Sequence, residues 1–295
     1  MLLPAFIHWN ASPYIFTIGS FGIRWYSVLF VVGFALGWYM FKKFFRKENL
    51  PADKLLDPLL YSLAIATIVG ARLGHCCFYD AAYYFGSWDG FLEIFMPWKG
   101  GLASHGGAIA VLIAMWWYAR HYGKKYGFGF LWMLDRLVIA VCFVGAFIRL
   151  GNLFNSEIYG DVTSLPWGFI YERNGETLPK HPTQLYEALS YTVLGLILLA
   201  LYNKKMSKLH EGTIFALFLI ALFGMRFIIE FIKEPQVEFE NSMMLNMGQL
   251  LSVPFIIAGI VLLLWSLRSG GPAMLQQHNE PKRVATHYAK SLNDK

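Results

Sequence analysis

The chain is expected to be an all-α integral membrane protein of seven transmembrane helices, N-terminus outside and C-terminus inside, with a small extracytoplasmic cap. Three observations lead there. Its 295 residues are 56% hydrophobic and only 15% charged, with a mean hydropathy of +0.44, too apolar for an ordinary soluble domain. Seven runs are long enough to cross a hydrocarbon layer of about 30 Å. Lysine and arginine crowd into alternate connections, sixteen against four, which by the positive-inside bias puts the odd-numbered connections in the cytoplasm.

The runs fall at about 22–41, 57–78, 103–119, 129–147, 184–202, 212–231 and 246–267, the third being the shortest. Glycines inside them, such as Gly70, Gly74, Gly106 and Gly107, allow helices to approach closely. Before the first run, residues 1–21 carry two prolines, an asparagine and several aromatics. No basic residue precedes Arg24, so an interfacial outer arm is expected and not a cleavable leader. Between the fourth and fifth runs, polar residues, aromatics, glycines and prolines alternate without helical or strand period, which marks a cap at about 150–183. Residues 1–268 make one membrane domain. The remainder, 269–295, loses apolar periodicity and is expected to be a disordered cytosolic tail. The net charge of +6 is explained by topology, and no nucleic-acid partner is indicated.

Charges inside this apolar body need a reason, because one at the bilayer centre costs roughly 2.5–3.5 kcal/mol. Arg72, Arg149 and Arg226 lie in or at the ends of spans, with Glu157 and Glu230 nearby. Arg226 and Glu230 are four apart, on one helical face, and Arg149 and Asn152 are three apart. Arg149, Asn152, Asn155 and Glu157 run from the outer end of the fourth helix into the cap. A guanidinium fork with asparagine donors suits phosphate, and glutamate can hold the fork in place. The plainer alternative for Arg149 is an interfacial arginine snorkelling among polar neighbours. Arg226 lies deeper in its span, so two arginines near one leaflet favour an anion site, and the abundant anion at that depth is a phospholipid headgroup.

In GGLASHGG, His105 opens the third helix among small residues and offers an imidazole as a general base; the alternative is a histidine that serves helix packing. Tyr26 could hydrogen-bond a ligand or belong to the interfacial aromatic belt. His181 is expected to cap the turn before the fifth helix. Cys76, Cys77 and Cys142 lie in apolar runs with no C-x-x-C spacing, so neither a metal site nor a disulfide frame is expected.

Taken together, RWYSVLF, GARLG, GGLASHGG, RLGNLFNSEIYG, LPKHPTQLYE, LFGMRFIIEFIKEP and MGQLLSVP resemble the bacterial phosphatidylglycerol:prolipoprotein diacylglyceryl transferases over most of the chain. Arg149 to Gly160 is the most specific stretch. Ile148, Leu153, Leu222 and Arg24 depart from residues common in that family.

The resemblance implies a transferase of the bacterial cytoplasmic (inner) membrane, its site towards the outer leaflet. There the lipobox cysteine of a prolipoprotein signal peptide would attack phosphatidylglycerol, forming a thioether and releasing glycerol phosphate, the first step of lipoprotein maturation. It further implies that His105 is the candidate thiol base, while Arg149 and Arg226 bind the phosphate and stabilise the leaving group. Glu157 and Glu230 orient the arginines; Tyr26, Asn152 and Gly160 shape the headgroup pocket; Arg72 is a weaker candidate with a structural alternative. No metal or soluble cofactor is implied. Two rivals stand beside it, a lipid or anion transporter and an intramembrane protease using Ser104 and His105. The nearly all-apolar inner halves of helices three, five and seven oppose the first. The roughly 100° between adjacent helical residues opposes the second.

Overall fold

In the computed structural model, residues 6–19, 21–235, 243–269, 271 and 273 are described. The long elements are all helices: α1 Trp25–Lys47, α2 Ala52–Phe78, α5 Ser104–Tyr126, α6 Phe130–Asn155, α7 Thr183–Lys205, α8 Thr213–Ile229 and α9 Met247–Ser269. Two short helices, α3 Ala81–Gly86 and α4 Trp88–Ile94, lie in the connection between α2 and α5. Six of the long helices are long and apolar enough to cross a membrane. The exception is α5: it matches α1 in length at 23 residues, but Ser104, His105, Arg120, His121, Lys124 and Lys125 dilute its hydropathy.

Among the described residues four strands accompany the helices, although the cap stretch shows no strand period in the sequence. Strand β1 Ile7–Trp9 pairs in parallel with β4 Phe169–Tyr171, and β2 Tyr14–Ile18 pairs antiparallel with β3 Phe21–Arg24. They are three to five residues long, too short for alternation to register, and β1–β4 joins segments far apart in sequence. The N-terminal arm is thereby tied to the cap, with the Trp9 indole donating to the Leu153 carbonyl at 3.0 Å.

The principal helix pairs are α2 with α5, α1 with α6, α6 with α7, and α8 with α9. Gly74 and Gly106 show why the first is close: a Cβ on Gly106 would fall 2.7 Å from the Gly74 Cα. The main core lies towards the end opposite the cap. It contains Phe41, Phe44 and Phe45 of α1, Leu55 and Leu59 of α2, Tyr118 of α5, Trp132 to Ile139 of α6, and Tyr202 of α7.

Charge is also buried at this basic end, where the sequence reading had singled out none. Arg136 and Glu48 pair at 2.6 Å with side chains 0% exposed; Trp132 and Tyr202 donate to the same carboxylate at 3.0 and 2.9 Å. Beside Arg136, the Asp135 carboxylate accepts from the Gly212 and Phe215 amides at 2.8 Å each, capping α8 from another helix. The first residues of the expected tail also dock here. Gly271 accepts from the Glu211 amide at 2.8 Å, and the Ala273 carbonyl accepts from Arg136 at 2.8 Å. The stretch from 274 onward lies outside the described residues.

Candidate active site

The end of α6 supplies the first half of the site. Arg149 and Asn152 lie one turn apart, and Arg149 Nη1 donates to Asn152 Oδ1 at 3.2 Å. The helix then stops abruptly, because Ser156 and Ile158 adopt positive φ of 55° and 61°. That turn folds Glu157 back over the helix end, where its carboxylate accepts from Asn152 at 2.7 Å and Asn155 at 3.0 Å. The start of α7 fixes the turn: Gln184 donates to the Glu157 carbonyl at 2.7 Å and Thr183 to the Ile158 carbonyl at 2.8 Å. Glu157 therefore orders the asparagines, whereas the sequence reading had it orienting the arginines; no ion pair joins it to an arginine among the described residues.

The carboxylate that does hold Arg149 was missed. Glu187, one turn into α7 and 0% exposed, lies 2.8 Å from Arg149 Nε through Oε2. Its Oε1 lies 3.6 Å from Lys233 Nζ, and Lys233 in turn donates to Glu230 Oε1 at 3.0 Å. Glu230 is 3.6 Å from Arg226 Nε, so the expected pair forms. Asn246 holds Glu230 from the other side, donating to its carboxylate at 3.2 Å and to its carbonyl at 3.0 Å. The result is one continuous network, Arg149, Glu187, Lys233, Glu230 and Arg226, drawn from α6, α7 and the end of α8. Among the described residues Arg226 Nε and both Glu187 oxygens find no hydrogen-bond partner, so these groups are held by charge without aligned donors.

Tyr26 packs on α6 at Gly151, between Arg149 and Asn152 in sequence, where an added Cβ would fall 2.7 Å from Tyr26 Cδ2. Gly160 is a backbone crossing. Its amide donates to the His181 carbonyl at 2.9 Å, it bridges to Lys233, and an added Cβ would lie 2.8 Å from Thr183 Cγ2. Its requirement for glycine therefore comes from the join between cap, α7 and the segment after α8.

His105 is not brought into contact with these groups. Its exposed ring stacks on Tyr79 at 5.7 Å and meets Phe78 edge-on at 6.1 Å, both at the end of α2. Arg72 belongs elsewhere again. It is 4% exposed and donates to the carbonyls of Glu93, of Ile94 at 3.1 Å, of Gly100 at 2.6 Å and of Gly101 at 3.3 Å. Its fork is filled by the backbone of the α2–α5 connection, which makes it a structural clamp.

His181 precedes α7, its Nδ1 3.2 Å from the Tyr186 hydroxyl. Burial holds its imidazole below the ordinary range, with Asp161 pulling the other way. Among the described residues no group of three or more His, Cys, Asp and Glu side chains is placed to hold a metal ion.

Glu187 had a signal in the sequence. A glutamate inside an apolar run is as costly as the arginines that were noticed, but its place near the start of the run made it look like the edge of the cap. Lys233 was counted only as a loop charge. It is 5% exposed because the chain turns back after α8 and carries its ammonium between two carboxylates.

A family model of prolipoprotein diacylglyceryl transferases matches residues 13–265. Among similar proteins is the phosphatidylglycerol–prolipoprotein diacylglyceryl transferase of Tolumonas auensis, 45% identical over 262 residues, which cover 89% of this chain and 98% of that protein. Its counterpart in Porphyromonas gingivalis is 44% identical over 283 residues, covering 91% and 98%. That of Bacteroides fragilis is 42% identical over 263 residues, covering 86% and 93%. The six membrane-length helices, the arginine network at their cap end and the match along nearly the whole chain agree, and the chain belongs to the prolipoprotein diacylglyceryl transferase family.

Proposed function

We propose that this chain transfers the diacylglyceryl group of phosphatidylglycerol to the lipobox cysteine of a prolipoprotein at the Arg149–Arg226 network. The observation that carries the assignment of the site is its charge: three cations, Arg149, Lys233 and Arg226, share two carboxylates, Glu187 and Glu230. An anion completes that set, and Arg226 Nε is a buried donor without a hydrogen-bond partner. Both arginine side chains stay partly accessible, 16% for Arg149 and 31% for Arg226, while Glu187 is sealed.

In this reading the phosphate of the lipid sits between Arg149 and Arg226, with Asn152 and Tyr26 beside it. The cysteine sulfur attacks the glyceryl carbon that bears the phosphate. The carbon–sulfur bond forms as the carbon–oxygen bond breaks, and the oxygen leaves with the electron pair as part of glycerol phosphate. The arginines stabilise the charge gathering on that oxygen. The thiol must lose its proton, having an ordinary pKa of about 8.5, and His105 takes it. Since His105 stands on Tyr79 apart from the arginines, the two substrates lie between them.

We further assign seven crossings, with the cap and the site at the outer leaflet of the bacterial inner membrane. The sixteen-to-four distribution of lysine and arginine supports this orientation. The close antiparallel pairing of α5 with the membrane-length α2 supports α5 as the seventh span.

The test is a reconstituted assay: purified protein in detergent with phosphatidylglycerol and a lipobox peptide, thioether-linked diacylglyceryl being followed by mass. Product is expected with the wild-type protein and not with Arg226→Ala or with a peptide whose cysteine is serine. Folded protein that binds the lipid but makes no product would sink the transferase assignment in favour of lipid binding or transport.

A further inference from the structure

Glu187 is a buried carboxylate that the reaction never touches, placed where it counts most. Burying a charge is costly, and a buried ion pair adds little net stability, so this carboxylate calls for another account. It reaches Arg149 Nε at 2.8 Å and Lys233 Nζ at 3.6 Å, linking cations from two elements. With Glu187 and Glu230 ionised, Arg149, Lys233 and Arg226 leave a surplus of one positive charge within the network. Glu157 stands outside this set of ion pairs and reaches Arg149 only through Asn152, so its charge is a constant background that a change at Glu187 leaves in place.

We propose that Glu187 is a positioning residue that sets the charge of the anion site, matching its surplus to a monoanionic phosphodiester and not to the phosphomonoester released. The inference rests on the transferase reading of the site. A phosphodiester lipid carries one negative charge and neutralises the network. The glycerol phosphate that leaves carries about 1.5–2 charges at pH 7, as phosphomonoesters do, so every positive charge added to the network strengthens its hold on the product more than on the lipid, and keeping the surplus small limits that hold. The same carboxylate attracts Arg149 at its Nε edge, while Asn152 accepts from Nη1 at 3.2 Å.

Substrate and product therefore respond differently when the carboxylate is neutralised. In the reconstituted assay, Glu187→Gln is expected to leave KM for phosphatidylglycerol unchanged or lower. It should reduce kcat on the order of tenfold and tighten inhibition by added glycerol phosphate by a similar factor. A second variant covers failure to fold. Glu187→Gln combined with Lys233→Gln removes two buried opposite charges together and restores the surplus of one, so its product inhibition should return to the wild-type level. The inference is overturned if glycerol phosphate inhibits the single variant no more strongly than wild type, or if the double variant stays as tightly inhibited as the single one. It is equally overturned if kcat falls and KM rises with product inhibition unchanged, the mark of a merely structural carboxylate. Wild-type protein that makes no product at all would instead take down the transferase reading, and this inference with it.

Discussion

Three arginines stand out in the sequence as charges in or at the ends of apolar spans, and the structure surrounds them differently. Arg72 spends its donors on four backbone carbonyls, whereas Arg149 and Arg226 face carboxylates and keep partial access. The difference follows from what surrounds each: the α2–α5 connection wraps Arg72 with chain, whereas the Arg226 side chain stays 31% exposed. Arg72→Ala should therefore cost several hydrogen bonds to a charged group, about 1.5–3 kcal/mol each, and show as a lower melting temperature in detergent. Arg149→Lys keeps the charge but loses the planar fork. We expect it to lower kcat/KM by roughly 10²–10³, as removal of an oriented oxyanion donor does, with melting little changed. For His105, replacement by glutamine removes the base and should lower kcat about 10²–10⁴-fold. The variant would then depend on thiolate formed in solution, so its rate should rise more steeply with pH than that of wild type, up to the ordinary thiol pKa of about 8.5. Parallel pH profiles would show that His105 does not take the proton. The spacing of Arg226 and Glu230 was legible because a helix repeats every 3.6 residues. The Glu187 and Lys233 links were not, since they depend on how three elements meet.

At the scale of the element, α6 carries the argument at both ends. One end presents Arg149 and Asn152 to the site; the other buries Asp135 and Arg136 at 0% exposure. Asp135 caps α8 through two amides, so the helix that bears Arg226 is anchored at its far end by the helix that bears Arg149. Asp135→Ala should remove that cap and cost about 0.5–2 kcal/mol, seen as a lower melting temperature, with kcat of the folded enzyme unchanged. Apolar runs made the long helices legible, with α5 the partial exception, because its polar ends and its tight glycine face trade hydropathy for proximity to α2. The strands were not legible, since three-residue pairings such as β1 with β4 are decided by where the cap lands and leave no period behind.

At the scale of the molecule, the closed core and the charged network sit at opposite ends of the bundle. Trp132, Phe45, Tyr118 and Tyr202 fill the basic end with side chains at most 1% exposed. A transporter would need a path there, and the Glu48–Arg136 pair and its aromatic neighbours occupy it. A charged network confined to one end of the bundle suits a transferase whose lipid arrives by lateral diffusion. The leaflet that the network faces and the crossing of α5 can both be read from one labelling experiment. In a background with Cys77→Ser, single cysteines are introduced at Trp98, Lys124 and Thr177, all exposed and all in or beside connections. Trp98 and Thr177 should react with a membrane-impermeant maleimide added to intact bacterial spheroplasts, and Lys124 only after the membrane is opened. Trp98 and Lys124 flank α5, so reaction of both from the same side would mean that α5 does not cross. Reversal of all three would put the site at the cytoplasmic leaflet and set the orientation drawn from the lysines and arginines aside.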